Sequence, residues 1–246
     1  MLWYLIPIAI LAFTLKSAWF KGLFGELVVN LAAKLLLDKT KYHLLKNVTL
    51  PTENGTTQID HVIISKYGIF VVETKNMKGW IFGSPNQKVW TQKIFKHSSK
   101  FQNPIHQNFK HVKTLESLLG LKETQIYSVI VFVGESTFKT DMPENVTYAG
   151  GYIRYIKSKK QEVLSNSEVR VIIQQVESGR LTPSFKTNKE HVKHVNSIIT
   201  EKQNNKLCPK CGGEMVIRKA KQGKNKGNWF WGCLNYPKCR GIVNVT

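Results

Sequence analysis

The chain has 246 residues, 36 basic against 16 acidic side chains for a formal charge of +20, and 42% hydrophobic content. That length and apolar share suit one medium domain plus a small appendage and exclude a disordered chain. No internal repeat and no glycine-rich phosphate loop is present, which excludes a repeat array and a P-loop enzyme, while the basic excess calls for a polyanionic partner, either nucleic acid or an anionic membrane surface.

Residues 1–15, MLWYLIPIAILAFTL, carry no charge, and after Lys16 the apolar character resumes to Phe20. A bilayer takes about 20 mostly apolar residues, so residues 1–20 are expected to form a transmembrane anchor with Lys16 reaching to the interface. Trp3, Tyr4 and Trp19 sit near its two ends, where interfacial aromatics belong. A cleaved signal peptide would want basic residues before Lys16, and there are none; a buried core helix is the other alternative. Lys16, Lys21 and Lys34 all follow the apolar run, which puts the N-terminus outside and the remaining chain in the cytoplasm.

Residues 22–37 read as a helix by apolar period, with Glu26 on the uncharged face of Asn30, Ala33 and Leu37 and so partly buried. Residues 41–50, 56–65 and 68–75 read as strands. The last two, TTQIDHVIIS and GIFVVETK, are apolar enough for buried central strands, and Lys66-Tyr67-Gly68 can turn them into a hairpin. Asp60 then comes beside Glu73. Side chains alternate along a strand, so Glu73 and Lys75 share a face. Two carboxylates suit a hard divalent ion such as Mg²⁺ or Mn²⁺, and a lysine beside them can orient water or stabilise charge on a phosphate, which is equipment for phosphodiester hydrolysis. The plain alternative is a solvated strand face with a weak ion pair.

Gly79 to Trp90 reads as a further hairpin with its turn at Gly83-Ser84-Pro85-Asn86. A helix is expected from Asn103-Pro104 to Leu119, stopped by Gly120, with Gln107 and His111 one turn apart on one face. Residues 125–133 form a buried strand, and residues 160–178 and 187–201 two more helices. Lys157, Lys159 and Lys160 could touch phosphate or form a solvated loop, and residues 201–206, EKQNNK, have linker composition.

All four cysteines fall in the tail: Cys208, Cys211, Cys233 and Cys239, spaced as C-x2-C and C-x5-C. That spacing suits one structural Zn²⁺ held tetrahedrally with no open position, and a metal staple makes sense for a module too small to bury much core. Between the pairs lie Lys224 and Lys226, followed by Trp229, Phe230 and Trp231. Basic residues beside aromatics suit single-stranded nucleic acid: phosphates meet the charges and bases stack on the rings. Trp229 and Trp231 are the stacking candidates, and Phe230 is the candidate core filler.

Residues 22–111 resemble the NERD (nuclease-related) domain family. The resemblance rests on Gly25-Glu26, Leu50-Pro51, Gly55 to His61, Val71 to Asn76, Gly79-Trp80 and Gln102-Asn103-Pro104. The family is similar to PD-(D/E)XK nucleases, so the resemblance implies a restriction-endonuclease-like α/β fold, a mixed sheet flanked by helices. It implies Asp60 and Glu73 as Mg²⁺ ligands, Lys75 serving the attacking water, Glu26 as an auxiliary acid and Gln107 as a substrate contact. Ile59 precedes Asp60 where such nucleases usually carry proline. The tail resembles the C-terminal zinc ribbons of bacterial type I topoisomerases through Cys208 to Gly213, Phe230 to Cys233 and Tyr236 to Cys239.

The expectation is a membrane-tethered, Mg²⁺-dependent bacterial nuclease acting through a metal-bound water, DNA being favoured over RNA. Its parts are an anchor (1–20), a nuclease-like domain (21–145), a helical extension of that core (146–200), a linker (201–207) and a zinc ribbon (208–246). No small-molecule cofactor is evident. The alternatives are a catalytically inactive nucleic-acid-binding protein tethered to the membrane, and a scaffold whose charge meets anionic lipid.

Overall fold

The computed structural model describes residues 17–52, 55–181, 207–219 and 229–244. The chain divides into two compact units, one up to Pro183 and one from Ser184.

The first unit opens with helix α1 (Ala18–Leu36), whose cap Ser17 accepts from the Phe20 N–H at 3.1 Å. Strands β1 (His43–Thr52), β2 (Gly55–Ser65) and β3 (Gly68–Asn76) follow as an antiparallel meander. Ser65 pairs with Gly68, so Lys66-Tyr67 is the two-residue loop of the expected hairpin. Next come β4 (Gly79–Phe82), β5 (Val89–Ile94), β6 (His97–Gln102), helix α2 (Pro104–Leu119) and strand β7 (Ile126–Val133). Two short strands, β8 (Ser136–Phe138) and β9 (Val146–Tyr148), precede helices α3 (Ala149–Ser158) and α4 (Asn166–Gly179).

The main sheet has the order β1-β2-β3-β7-β9. β7 runs parallel to β3 along its length, from Ile69 beside Ile126 to Asn76 beside Val133, and the connection between them contains α2. Helices cover both faces. Val112 and Leu115 of α2 and Val169, Ile172 and Val176 of α4 pack on Val62, Ile64, Ile69 and Val71. Val29 and Ala33 of α1 and Tyr152, Ile153 and Ile156 of α3 pack on Ile63, Phe70 and Val72. β3 therefore feeds both layers, which explains its unbroken apolar run. A second sheet, β6-β5-β4-β8, is joined to the first by Trp90 and Ile81 packing with Ile130 and Phe132. This is the expected mixed α/β architecture with helices flanking the sheets.

Several elements differ from expectation. The helix read over residues 160–178 begins only at Asn166, because Ser165 and Glu168 form a capping box there. Helix α3 and strands β6, β8 and β9 were not legible, being short or polar. Residues 187–201 and the 201–206 linker segment lie outside the described residues. So do residues 1–16, most of the expected anchor; residues 18–20, also assigned to it, belong to α1. Among the described residues no helix is long and apolar enough to cross a membrane.

Two buried asparagines lock α2 in place. Asn103 caps it by accepting from Ile105 N at 2.9 Å, while its amide donates to the Gln87 carbonyl at 2.7 Å and holds the β4–β5 turn. The Asn108 amide donates to the Val71 carbonyl at 2.8 Å and the Ser128 hydroxyl at 2.9 Å, tying α2 to β3 and β7. Asn108→Ala strands these buried acceptors, and the first unit is expected to lose about 1–3 kcal/mol in urea unfolding. An unchanged midpoint would show that these bonds contribute nothing net.

Candidate active site and metal centre

β3 leaves the core at its C-terminal end. Val71 and Val72 are fully buried, Glu73 is 3% exposed, and Thr74, Lys75 and Asn76 are half-buried. The register that pairs His61 with Val72 brings Asp60 opposite Glu73, and the Thr74 N–H donates to Asp60 Oδ2 at 2.8 Å. Lys75 Nζ donates to Glu73 Oε1 at 2.7 Å and to Gln107 Oε1 at 2.8 Å. Helix α2 thus delivers Gln107 to the strand pair. One turn on it delivers His111, whose Nε2 lies 3.4 Å from Glu73 Oε2 and whose Nδ1 shares a 2.8 Å hydrogen bond with the Thr57 hydroxyl.

Glu26 arrives from the other side of the sheet end. A Cβ on Gly25 would sit 3.0 Å from Asn76 Cβ and 3.3 Å from Thr74 Cγ2, so α1 crosses the end of β3 closely, with a glycine at the tightest point. Asn76 Nδ2 ties the same crossing by donating to the Lys21 carbonyl at 2.7 Å. The half-buried Glu26 then lies within electrostatic reach of both Asp60 and Glu73.

The charges do not share this site evenly. Burial, and then the neighbouring Glu73, push the Asp60 carboxyl well above the usual carboxylate range, against the Thr74 N–H. Burial and Glu73 also raise Glu26. Burial works against the charge of Glu73 too, but His111 and Lys75 outweigh it and hold that carboxyl below its ordinary value. His61, wholly enclosed beneath the sheet end, is driven by burial down to about 4 and is neutral at pH 7. Asp60 and Glu73 therefore form a pair of oxygen donors that repel each other, and Glu73 Oε2 is enclosed with no hydrogen bond of its own. That donor set fits a hard divalent cation. It is a two-carboxylate site: the Glu26, Asp60 and Glu73 oxygens do not all close within 4.8 Å, and among the described residues only the cysteines make such a group of three or more.

Asp60, Glu73, Lys75 and Gln107 thus converge, with Glu26 beside them. His111 and Thr57 are the additions. His111 had a legible signal, its place one turn after Gln107 on the same helix face. Thr57 had none.

In the second unit, β10 (Met215–Lys219), β11 (Trp229–Cys233) and β12 (Ile242–Asn244) form an antiparallel sheet beside the four cysteines. Their sulfurs all lie within 4.8 Å of one another, with Cys208 to Cys239 at 3.6 Å and Cys211 to Cys233 at 3.5 Å. A tetrahedral Zn²⁺ with bonds of ~2.3 Å sets its ligands ~3.8 Å apart, so the donor set fits zinc. Backbone N–H groups point at the sulfurs: Asn235 N donates to Cys233 Sγ at 3.4 Å, and the Gly213 N–H is the main cause pulling the Cys211 thiol down to about 6.

The aromatic assignment needs correction. Trp231 is 5% exposed and packs with Cys208, Met215 and Cys233 in the ribbon core, so it offers no stacking face; Phe230, expected in the core, is half-buried. Cys233 must face the metal, and alternation along β11 turns Trp231 the same way. Lys224, Lys226 and the Trp229 side chain lie outside the described residues. A Cβ on Gly241 would meet Cys208 Sγ at 2.1 Å. Gly241→Ala is therefore expected to weaken zinc binding by about 10–100-fold, as changes around metal ligands do. Competition with a chromophoric chelator measures it, and unchanged affinity would contradict this packing.

Comparison with known proteins covers both units. The nuclease-related domain profile matches residues 21–133, and the topoisomerase DNA-binding C4 zinc finger profile matches residues 205–246. An uncharacterized protein of Bacillus anthracis is 39% identical over 183 residues, covering 72% of this chain and 84% of that protein. DNA topoisomerase 1 of Methanocaldococcus jannaschii is 52% identical over 92 residues, 35% of this chain but only 10% of that enzyme. DNA topoisomerase 1 of Archaeoglobus fulgidus is 56% identical over 32 residues, 13% of this chain and 4% of the enzyme. No solved structure matches. The chain belongs to the nuclease-related domain family and joins that domain to a four-cysteine zinc ribbon of the topoisomerase type.

Proposed function

We propose that this protein is a membrane-anchored nuclease that hydrolyses phosphodiester bonds, with DNA as the favoured substrate. The observation that carries the reading is Lys75 Nζ bridging Glu73 Oε1 and Gln107 Oε1 beside Asp60, at the emerging end of a buried strand. Asp60 and Glu73 would hold Mg²⁺ or Mn²⁺. Such an ion, when bound, supplies charge neutralisation at the phosphate and makes water a better nucleophile.

The protein's own groups do the positioning. Lys75 is held by two oxygen acceptors, so its ammonium has a defined place from which to orient water and offset charge growing on the phosphate oxygens. Gln107 commits its amide oxygen to Lys75, which leaves its amide N–H₂ as the donor it can offer a nucleotide. His111, itself steadied by Thr57, holds Glu73 in its ionised form and is a positioning residue. Glu26 supports the edge from α1. The zinc ribbon contributes binding to single-stranded nucleic acid.

A second reading is a nucleic-acid-binding protein without hydrolysis. It draws on Asp60 Oδ2, which already accepts from the Thr74 N–H. Metal-dependent cleavage separates the two readings.

The proposed parts remain an anchor in residues 1–20, a nuclease unit from 21 to 145 with its helical extension to 200, a linker and the ribbon. The described part of the extension packs into the core: the Tyr152 hydroxyl donates to the Val29 carbonyl at 2.6 Å, and Val176 is fully buried. An apolar environment along α1 is supported by Leu23, Leu27, Leu31 and Leu35, which recur every fourth residue and are 50–71% exposed. A helix apolar on its outer as well as its inner face calls for a cover, and the uncharged residues 1–15 lead directly into it.

Two outcomes are expected. Lys75→Ala lowers Mg²⁺-dependent cleavage of DNA by at least about 10²-fold while leaving the fold intact, the scale on which proton-handling groups act; activity within a few-fold of the parent would sink the assignment. In intact cells, a cysteine replacing Leu2 at the outer end of the anchor reacts with an impermeant thiol reagent and one replacing the exposed Lys157 does not; the reverse pattern would invert the topology.

A further inference from the structure

The second sheet carries a surface the proposed chemistry does not use. Its inner face holds Ile81 and Trp90 in the core. Its outer face bears Trp80, 48% exposed, at the centre. Trp80 pairs in register with Lys93 on β5 and with Thr137 on β8. Thr91 pairs with Lys100, which adds a further ammonium to that face. Lys139 Nζ stands 4.8 Å from the centre of the Trp80 ring and Lys93 Nζ 5.8 Å. At the tip of the β5–β6 hairpin Phe95 is 93% exposed, next to Lys96.

Trp80 and Phe95 expose two aromatic rings among these ammonium groups, the combination that suits a single strand. Trp80, Lys93 and Phe95 also border a groove of ≈ 450 Å³ with Lys78 and Glu135. The charge around it is one-sided: residues 76–115 contain seven lysines and no aspartate or glutamate. Glu135 is the carboxylate in the groove lining, opposite Lys78 and Lys93.

Position links this surface to the candidate active site. The β3–β7 pair continues as the β4–β8 pair, with Gly79 N donating to the Glu135 carbonyl at 2.8 Å between them. Trp80 lies five residues beyond Lys75, a span of at most ~17 Å in extended chain. A second groove, lined by Lys21 and Gly22 of α1 with Asn76, Met77 and Gln92, adjoins the first at Lys78 and Glu135.

We propose that the outer face of β4–β6 binds the strand presented to Lys75: an unpaired base stacks on Trp80, another meets Phe95, and Lys93, Lys100 and Lys139 hold the adjoining phosphates. Stacking on an exposed ring tolerates any base, because every base has a π-face, and the flanking ammonium groups supply a salt-dependent grip on the backbone. The inference extends the nucleic-acid reading of the site and makes that reading specific: the site takes a strand that is unpaired on one side of the scissile phosphate. A lipid surface is the competing occupant, since aromatics beside lysines also suit an anionic bilayer. Two adjoining grooves lead from Trp80 back to the end of β3 at Asn76, which favours the nucleic acid, because lipid headgroups would have no reason to follow them.

The test uses the full chain with zinc bound and no added Mg²⁺, and a 20-mer of thymidines in which some positions carry 5-iodouracil. Ultraviolet cross-links are expected on the peptides that contain Trp80 and Phe95, separately from any in the zinc ribbon. Trp80→Ala should weaken binding by about 5- to 150-fold, the range base–aromatic stacking supplies, and Trp80→Phe should restore most of it. Binding to blunt duplex should change less than twofold. Phe95→Ala guards against misfolding, since a side chain this exposed cannot disturb the core. Cross-links confined to residues 207–246 together with unchanged affinity in Trp80→Ala and Phe95→Ala would overturn the proposal. So would a loss of binding to phosphatidylglycerol vesicles in these variants while oligonucleotide binding stayed constant. Cleavage that survives in Lys75→Ala would remove the catalytic reading and leave cross-links at Trp80 standing, so the two failures are distinguishable.

Discussion

The placement of β3 governs the rest of the first unit. It is bonded to β2 on one side and to β7 on the other, and it contributes side chains to the cores on both faces of the sheet. A strand enclosed this way has no freedom of register, because a one-residue slip would send Phe70 and Val72 into the α2 layer and Val71 into the α1 layer. The polar residues Glu73, Thr74 and Lys75 can emerge only at its C-terminal end. Every other site residue is placed relative to that end. β2 brings Asp60 through the hairpin register, α2 brings Gln107 and His111, and α1 brings Glu26 by crossing at Gly25. Asn108, bonded to the Val71 carbonyl, makes the height of α2 along β3 a consequence of backbone hydrogen bonding as well as side-chain packing.

Burial of this end is costly, and the cost is unevenly distributed. Glu73 is compensated by Lys75 and His111 and stays ionised. Asp60 has one backbone N–H and faces Glu73 and Glu26, so it resists ionisation. One acid is held charged while burial and that charge oppose ionisation of its neighbour, an arrangement that brings no stability. A hydrophobic pair at these positions would fit the surrounding core better. The stability needed to keep the acids there comes from the apolar layers behind them, in which Val62, Ile64, Val71 and Val72 are wholly enclosed.

The parts of the structure that were legible in the sequence are those with strong local signals. The Lys66-Tyr67 turn, the continuous apolar run of β3, and the Asn103-Pro104 start of α2 each follow from one or two residues with a firm preference. What escaped lacked such a signal. β6, HSSKFQ, is an exposed strand with hardly any apolar residue to set a period, and β8 and β9 are three residues each. The inner and outer sides of the zinc ribbon are too small for hydrophobicity to tell them apart, since Trp229, Phe230 and Trp231 are all large and apolar. The cysteines settle it. Cys233 has to face the metal, and Trp231, two residues before it, has to follow. That parity argument was available in the sequence and outranks any argument from residue type.

Charge resolves an apparent contradiction between the two halves of the site. On the proposed function a nucleic acid must come close to Glu73, which is held ionised and repels phosphate. Attraction at a distance is supplied by other residues. The stretch from Asn76 to Leu115 carries only positive charge, and the tail from residue 201 carries ten basic against two acidic residues. At physiological salt such fields reach about 8 Å, so lysines on the β4–β6 face can capture a strand and still sit outside the shell in which the carboxylates act. Within that shell Lys75, bonded to Glu73, answers the local repulsion. Capture and chemistry can therefore be separated in space: the basic surface sets how often a strand arrives, and the end of β3 sets what happens to it. The same separation explains why the acids are embedded in a central strand while the lysines are scattered over exposed ones. A binding surface tolerates mobile side chains, whereas oxygen donors that repel each other stay together only where the backbone leaves them no alternative.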